Sequence, residues 1–278
     1  AVFASALFGS ISGSSVSNTV ATGSFTIPLM KSTGYSALSA GAIESVASTG
    51  GNFMPPVMGV VAFLIAEFMG IPYLDVIISA LIPAVLFFIS IFMMVHFEGK
   101  KEGVKGLPVN ELPSFRGALL RGGHLILALV ALVMFLIKGY TAMMAAFWAI
   151  FILFLLSFIR KETRLTPTRL ISAFEEATKL CVIVGTACAT AGIIMGCLYT
   201  SGLGVRFTNI IISLASGQLW LALIFTMIVS IVLGMGMPSV GVYLTLLITV
   251  IPALIKLGVE PIAAHMFAFY FGVNFNIT

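Results

Sequence analysis

Charged residues are scarce in this chain. They make up 9% of the 278 residues, against about 25% in soluble globular proteins, while hydrophobic residues make up 60%. This balance excludes an ordinary soluble domain and indicates an integral membrane protein. The net charge of +4 does not indicate a nucleic-acid partner, because the basic residues cluster in two loops, as is typical of cytoplasmic loops between membrane spans.

The sequence also lacks the motifs of enzymes that act within membranes. It contains no HExxH motif, no GxSxG motif and no pair of aspartates inside an apolar segment. Its three cysteines, Cys181, Cys188 and Cys197, have no accompanying set of metal ligands. We therefore predict that the protein is not an enzyme and has no cofactor, and that it binds no metal beyond a coupling cation.

The apolar stretch from Gly9 to Pro56 is interrupted twice by small polar residues and glycine, at 12–18 and at 49–52. Lipid cannot satisfy the backbone groups freed at such breaks, so the breaks must be buried in protein or line a wet cavity. Discontinuous helices of this kind mark ion and substrate sites in secondary transporters. We predict half-length helices over residues 1–13, 17–31 and 36–50, the last of which breaks at Gly50-Gly51-Asn52 and resumes from Pro56 to about Met69.

A second copy of the pattern lies 224 residues further along the chain. Four positions recur with that offset (252 − 28, 258 − 34, 264 − 40 and 276 − 52), namely Pro28, Gly34, Ala40 and Asn52 as Pro252, Gly258, Ala264 and Asn276. Repeated, interrupted segments point to a binding site between the two copies. The alternative is a chance alignment of two apolar segments. We predict a second hairpin over 219–256 and a second broken helix from 261.

Uninterrupted spans are expected between the two copies, at about 74–97, 123–137, 140–159 and 171–198, with an outer connector at 200–217. The predicted fold class is an all-α, polytopic membrane protein with an inverted repeat, two re-entrant helical hairpins and broken helices. The chain does not begin with Met and stops inside the second copy. We therefore expect an internal fragment of a longer protein.

Three segments carry a resemblance to a known family. SGSSVSNTVATGSFTIPLMKSTGY (12–35), STGGNFMPPVMG (48–59) and GMGMPSVGVYLTLLITVIPALIKLGVEPIAAHMFAFYFG (234–272) resemble the large membrane subunit of tripartite ATP-independent periplasmic (TRAP) transporters, and are most similar to its fused permease form. The resemblance implies sodium-driven import of an organic acid by an elevator mechanism. It also implies a periplasmic binding protein and a small membrane subunit as partners, in a bacterial or archaeal inner membrane.

The resemblance further implies a division of the chain and two site regions. Residues 1–69 and 218–278 would form the transport domain, 70–170 the scaffold helices with the basic loops, and 171–217 a linking helix with the outer connector. The sodium and substrate ligands would be Ser14, Ser15, Asn18, Gly50 and Asn52 in the first region. In the second region they would be Gly236, Pro238, Ser239, Asn274 and Asn276.

The residue types suit this chemistry, because sodium is a hard cation that prefers oxygen ligands from carbonyl, hydroxyl and amide groups. Helix N-termini offer positive dipole ends to an anionic substrate. Glu44, inside a predicted half-helix, could tune cation binding or carry a proton, or it could face a polar groove or a partner. The alternative functions are a sodium/dicarboxylate symporter that needs no binding protein, and a channel.

Overall fold

The computed structural model describes residues 1–104, 115–160 and 163–274, and all regular structure in these ranges is helical. A short 3-10 helix spans Gly50–Asn52. The α-helices are α1 (Val2–Ser12), α2 (Ser15–Ser32), α3 (Ala37–Thr49), α4 (Val60–Met69), α5 (Tyr73–Lys101), α6 (Phe115–Ile137), α7 (Ala142–Ser157), α8 (Pro167–Thr200), α9 (Leu203–Leu214), α10 (Leu219–Gly234), α11 (Ser239–Thr249), α12 (Ile251–Lys256) and α13 (Pro261–Asn274). The predicted all-α fold class is confirmed.

Few helices among the described residues are long and apolar enough to cross a membrane, because many of the helices are only about half that length. Two qualify, Tyr73–Lys101 and the Ser239–Lys256 segment, and a third is possible if Cys188–Thr200 and Leu203–Leu214 form one bent span. Shorter apolar helices such as α1, α4 and α10 supply the remaining hydrophobic length. These helices are those of a polytopic membrane protein.

The chain folds as two compact units. The first comprises residues 1–71, 75–104 and 184–278, and the second comprises 72–74 and 105–183. The second unit contains the packed pair α6 and α7, which are joined at Gly139 with φ of 80°. Both predicted hairpins lie in the first unit. The predicted transport and scaffold domains remain predictions, and their boundary differs from that of the compact units at 75–104.

The predicted breaks in the first copy are present. Gly13 ends α1 in a left-handed conformation, with φ of 59°, and Ser14 caps α2 by accepting a hydrogen bond from Ser17 N at 3.3 Å. α3 then gives way to the 3-10 turn at Gly50. These two interruptions separate α1 from α2 and α3 from α4, as the small and polar residues of the sequence require.

The second copy repeats the register of the first. α2 and α11 begin 224 residues apart (239 − 15), and so do α3 and α13 (261 − 37). This is the offset that the sequence comparison gave. The second hairpin breaks at Met235–Pro238, where Gly236 has φ of 73°, and α10 packs on both α11 and α13.

Apolar side chains hold each copy together within the first unit. In the first copy Val2 and Ala47 form a buried cluster with Ile91 of α5, against which Phe87 and Phe88 of the same helix pack. In the second copy Tyr243 and Phe269 are fully buried with their rings 6.1 Å apart. Burial of such side chains stabilises a fold by about 1.5–3 kcal/mol each relative to exposure in water, and in lipid close packing supplies much of this role.

Candidate functional site

Glycine lets the first hairpin contact the broken helix through backbone atoms. An added Cβ on Gly9 would lie 2.6 Å from Gly51 Cα, and one on Gly13 would lie 2.1 Å from Gly59 Cα. The backbone N–H of Val57 donates to Ser10 O at 3.1 Å in the same region. The hairpin end and the segment after the break are therefore in direct contact.

The structure gathers part of the first predicted set around this contact. Ser15, Asn18 and Asn52 are buried, with 6%, 0% and 1% of their surfaces exposed, and Ser14 is half-buried. Gly50 is buried against α5, where a Cβ would lie 2.5 Å from Phe88 Cζ. These positions lie at or beside the two breaks, and their role as ion ligands stays a prediction.

Asn18 uses its side chain within the protein. Its Nδ2 group donates to Ser5 O at 2.8 Å and to Ser48 O at 3.4 Å. Its Oδ1 lies 3.2 Å from Thr22 Oγ1. Asn18 therefore ties α2 to α1 and α3, and it positions the hairpin whether or not it also meets a ligand.

The second predicted set meets the first through Ser239. Ser239 Oγ donates to Asn52 Oδ1 at 3.3 Å, although the two residues are 187 apart in sequence. Gly236 and Pro238 are exposed at the end of the second hairpin, and an added Cβ on Gly236 would meet nothing within 4 Å. The two breaks therefore come together at Asn52 and Ser239, beside an open hairpin end.

Asn274 lies on α13 one helical turn after Tyr270. The Tyr270 ring packs against Phe53, with ring centroids 5.2 Å apart, and Phe53 directly follows Asn52. Residues four apart share a helix face, so Asn274 is on the face that approaches the first break. Asn276, the last predicted ligand, lies outside the described residues.

Several buried polar atoms near the breaks have no hydrogen-bond partner among the described residues. They include Ser12 Oγ, Asn52 Nδ2 and Asn274 Oδ1. Folded proteins leave few such atoms, and each one calls for an explanation such as a bound ion or water. Exchanging the amide atoms of Asn52 would still leave one of them unpartnered, because Ser239 contacts only one. The junction of the two breaks thus has unused capacity for a ligand.

The junction is polar but carries no formal charge of its own. α1, the 3-10 turn and α11 contain no charged residue, and no group of three His, Cys, Asp or Glu side chains suited to a metal occurs in the described ranges. A cation here would meet hydroxyl, amide and carbonyl oxygens. An anion would meet amide N–H groups and the N-termini of α2 and α11.

Two other buried polar side chains of the first unit, Glu44 and His265, were not among the predicted site residues. Glu44 is fully buried and accepts hydrogen bonds from hydroxyl groups of α1, α2 and α3. His265 is 5% exposed, and its Nδ1 lies 2.9 Å from Tyr243 Oη. The sequence contains a signal for the surroundings of Glu44. Thr22 and Thr26 are four residues apart, as are Glu44 and Ser48, so each pair lies on one face of its helix.

Comparison with known families adds an independent finding. The sequence model of the tripartite ATP-independent periplasmic transporter, DctM component, matches residues 1–278. No curated protein matches the chain.

Proposed function

Because the chain belongs to the DctM family of tripartite ATP-independent periplasmic transporter components, we propose that it carries an organic acid across the membrane together with sodium. The family is one of transporters, and the apolar helices are those of a multi-pass membrane protein. We further propose that a periplasmic binding protein delivers the acid and that a small membrane subunit, separate or fused, completes the transporter. The membrane would be the inner membrane of a bacterium or archaeon.

The observation that carries this proposal is the meeting of the two breaks at Asn52 and Ser239. Uncharged oxygens at that junction suit a weakly held monovalent cation, since hard cations prefer oxygen ligands. The unpartnered amide atom of Asn52 and the two nearby helix N-termini suit a carboxylate. A sodium ion bound there would also lower the electrostatic cost of placing the anion beside it.

The proposed transport cycle follows from the same arrangement. Sodium and the carboxylate bind at the junction while it is open to the periplasm. The two hairpins and the broken helices then move together across the membrane, as in an elevator, because hydrogen bonds and backbone contacts join the hairpins to the breaks. The sodium gradient supplies the free energy, so that no nucleotide is consumed.

The test is uptake by proteoliposomes containing the complete transporter. Radiolabelled monocarboxylates and dicarboxylates are offered with the cognate binding protein, with and without an inward sodium gradient. We expect uptake only when both the gradient and the binding protein are present. Equal uptake without sodium would overturn the coupling, and equal uptake without the binding protein would favour a binding-protein-independent symporter.

A further inference from the structure

Glu44 is a carboxyl group enclosed in the middle of α3, with 0% of its surface exposed. The two ion pairs observed in the described part of the chain are Glu98 with Lys101 and Glu175 with Lys179, all on other helices. Removing a carboxylate from water without a paired cation has a large free-energy cost, which protonation removes. Glu44 is not among the proposed ion ligands at the two breaks.

Four hydroxyl groups from three helices surround the Glu44 carboxyl. Ser5 Oγ of α1 donates to Oε1 at 2.7 Å and Ser48 Oγ of α3 lies 3.3 Å from the same oxygen. From α2, Thr22 Oγ1 contacts Oε1 and Thr26 Oγ1 lies 2.5 Å from Oε2. Four hydrogen-bonding hydroxyl groups converging from separate helices make this a built site for the carboxyl.

The helices packed around Glu44 offer it no charged partner. α1 and the 3-10 turn contain no titratable side chain, α3 contains none besides Glu44, and α2 contains only the exposed Lys31 beyond Thr26. α5, whose Phe87 and Phe88 pack on this part of α3, carries its titratable groups near its ends. They are Tyr73 and Asp75 at the start and His96, Glu98, Lys100 and Lys101 at the end.

The threonine hydroxyl groups can satisfy the carboxyl in either protonation state. Thr22 Oγ1 lies 2.8 Å from Asn18 O, and Thr26 Oγ1 lies 2.9 Å from Thr22 O. Each hydroxyl has one proton to donate. When Glu44 is ionised the protons point to the carboxylate. When Glu44 is protonated it donates to Thr26, whose own proton then turns to the Thr22 carbonyl.

From this geometry we propose that Glu44 is a proton-binding site that gains and loses one proton in each transport cycle. One O–H bond forms with a proton taken from water, and the same bond breaks when the proton returns to water. The site adds a proton to the sodium coupling and therefore rests on the proposed transport function.

Hydrogen bonds connect this site to the hairpin and the break. Thr22 Oγ1 lies 3.2 Å from Asn18 Oδ1, and the Asn18 Nδ2 group donates to the backbone carbonyls of Ser5 and Ser48. Both of those residues also place their hydroxyl groups on Glu44. A change in the charge of Glu44 therefore alters the contacts that hold α2 against α1 and α3.

The proton site can be tested without any transport. Infrared difference spectra of the purified complete transporter are recorded during a pH titration for the wild type, Glu44→Gln and Glu67→Gln. Glu67 is an exposed acid on α4 and serves as the matched control. We expect the carbonyl band of a protonated, dehydrated carboxyl in the wild type and in Glu67→Gln, and its loss in Glu44→Gln. Identical spectra for all three proteins would overturn the proposal.

The coupling is tested in proteoliposomes at a fixed sodium gradient, with and without an inward pH gradient. We expect the pH gradient to stimulate uptake several-fold in the wild type and in Glu67→Gln but not in Glu44→Gln, which should keep its sodium activation. Glu44→Asp retains an acid and should keep a pH response, so it replaces Glu44→Gln if that variant does not fold. A full pH response in Glu44→Gln, or loss of sodium activation alone, would overturn proton binding.

These two experiments separate the two proposals. If the wild type shows no sodium-driven uptake but Glu44→Gln still lacks the infrared band, the transport proposal fails and the proton site stands. If sodium-driven uptake occurs and the band is common to all variants, only the proton site fails.

Discussion

Asn52 is the residue at which the two halves of the candidate site meet. Its Oδ1 accepts from Ser239 Oγ, while its Nδ2 is buried without a partner among the described residues. A buried amide with one hydrogen-bonded atom and one unpartnered atom is typical of a residue that completes its hydrogen bonds with a ligand. Asn18 is as deeply buried, but its amide is already bonded to its neighbours.

We expect Asn52→Ala to raise the sodium concentration for half-maximal uptake about tenfold or more. The Asn52 Oδ1 oxygen accepts one hydrogen bond from Ser239 and has a second lone pair that can ligate sodium. Loss of a polar contact with a charged ligand costs about 1.5–3 kcal/mol, and about 1.4 kcal/mol corresponds to a tenfold change in affinity. The sodium dependence of initial uptake in proteoliposomes measures this. Asn209→Ala makes the same change at an exposed position of α9 and should have no effect. Unchanged sodium dependence in Asn52→Ala would contradict the assignment.

Glu102, which follows α5, is an acid whose pKa the structure lowers. Its Oε1 accepts from Ser39 Oγ at 2.7 Å and its Oε2 from the backbone N–H of Ser36 at 3.0 Å. These two hydrogen bonds favour the ionised form and hold the pKa of the Glu102 carboxyl below its ordinary value. The carboxylate also lies at the N-terminus of α3, where negative charge is favourable.

The direction of that shift predicts a pH-dependent contribution to stability. Because the pKa is lower in the folded than in the unfolded state, the contribution is present at neutral pH and is lost as the pH falls through the folded-state value. Glu102→Gln should therefore unfold at a lower temperature than the wild type at neutral pH, and the difference should shrink in acid. Thermal unfolding in detergent across this pH range measures it, with Glu67→Gln as the control. A difference independent of pH would contradict the prediction.

At the scale of helices, close backbone contact between α10 and α13 shapes the second copy. A Cβ added to Gly234 would lie 1.9 Å from Gly272 O, and one added to Gly272 would lie 2.6 Å from a Val242 side-chain carbon. Small residues at helix interfaces allow such contact in membranes. The pair Gly192 and Gly196 on α8 has the spacing of this motif, but an added Cβ at either position meets nothing within 4 Å in the described structure.

We expect Gly234→Ala to destabilise the protein by about 1–3 kcal/mol or more, because an added methyl in a packed interface forces backbone shifts. The clash is with a backbone oxygen, which cannot rotate away as a side chain can. Apparent unfolding temperature and the yield of monodisperse protein measure the effect. Gly192→Ala, in open space within a helix, should be neutral or stabilising by up to about 1 kcal/mol. Equal stability of the two variants would refute the close contact.

Helix positions were predictable where breaks follow from residue type. The half-helix predicted at 36–50 is observed at Ala37–Thr49, because Gly50 and Gly51 allow the chain to turn. The helix predicted to resume at Pro56 begins instead at Val60, because Met58 and Gly59 have φ of 58° and 71°, outside the helical region. The connector at 200–217 contains the helix Leu203–Leu214, whose buried Gly204, Thr208 and Ile211 show a helical spacing in the sequence.

At the scale of the whole first unit, the repeat in the sequence predicted a binding site between the two copies, and the Ser239–Asn52 hydrogen bond brings one break of each copy into contact. The prediction was possible because the two copies repeat with one constant offset, so that each break in the first copy has a counterpart in the second. The hydroxyl groups around Glu44 could not be predicted in the same way. Ser5 reaches Glu44 only because α1 packs on α3, and no local pattern specifies which faces of two helices will pack.

The contact between the two breaks makes a quantitative prediction about the unit that contains them. If Asn52 and Ser239 act on one sodium site, their substitutions should not be additive, because each removes the partner of the other. Contacting residues show coupling free energies of about 0.5–3 kcal/mol, whereas distant ones add to within about 0.3–0.5 kcal/mol. We expect Asn52→Ala combined with Ser239→Ala to weaken sodium activation by less than the sum of the two single effects.

A double-mutant cycle on the sodium concentration for half-maximal uptake measures this coupling. The control cycle pairs Asn52→Ala with Ser79→Ala, since Ser79 is half-buried on α5 and donates to the Asp75 carbonyl of its own helix. We expect additivity in the control cycle and a coupling above about 0.5 kcal/mol in the Asn52–Ser239 cycle. Additivity in both cycles would mean that the two breaks bind independently, and that the hydrogen bond between them does not join two half-sites into one.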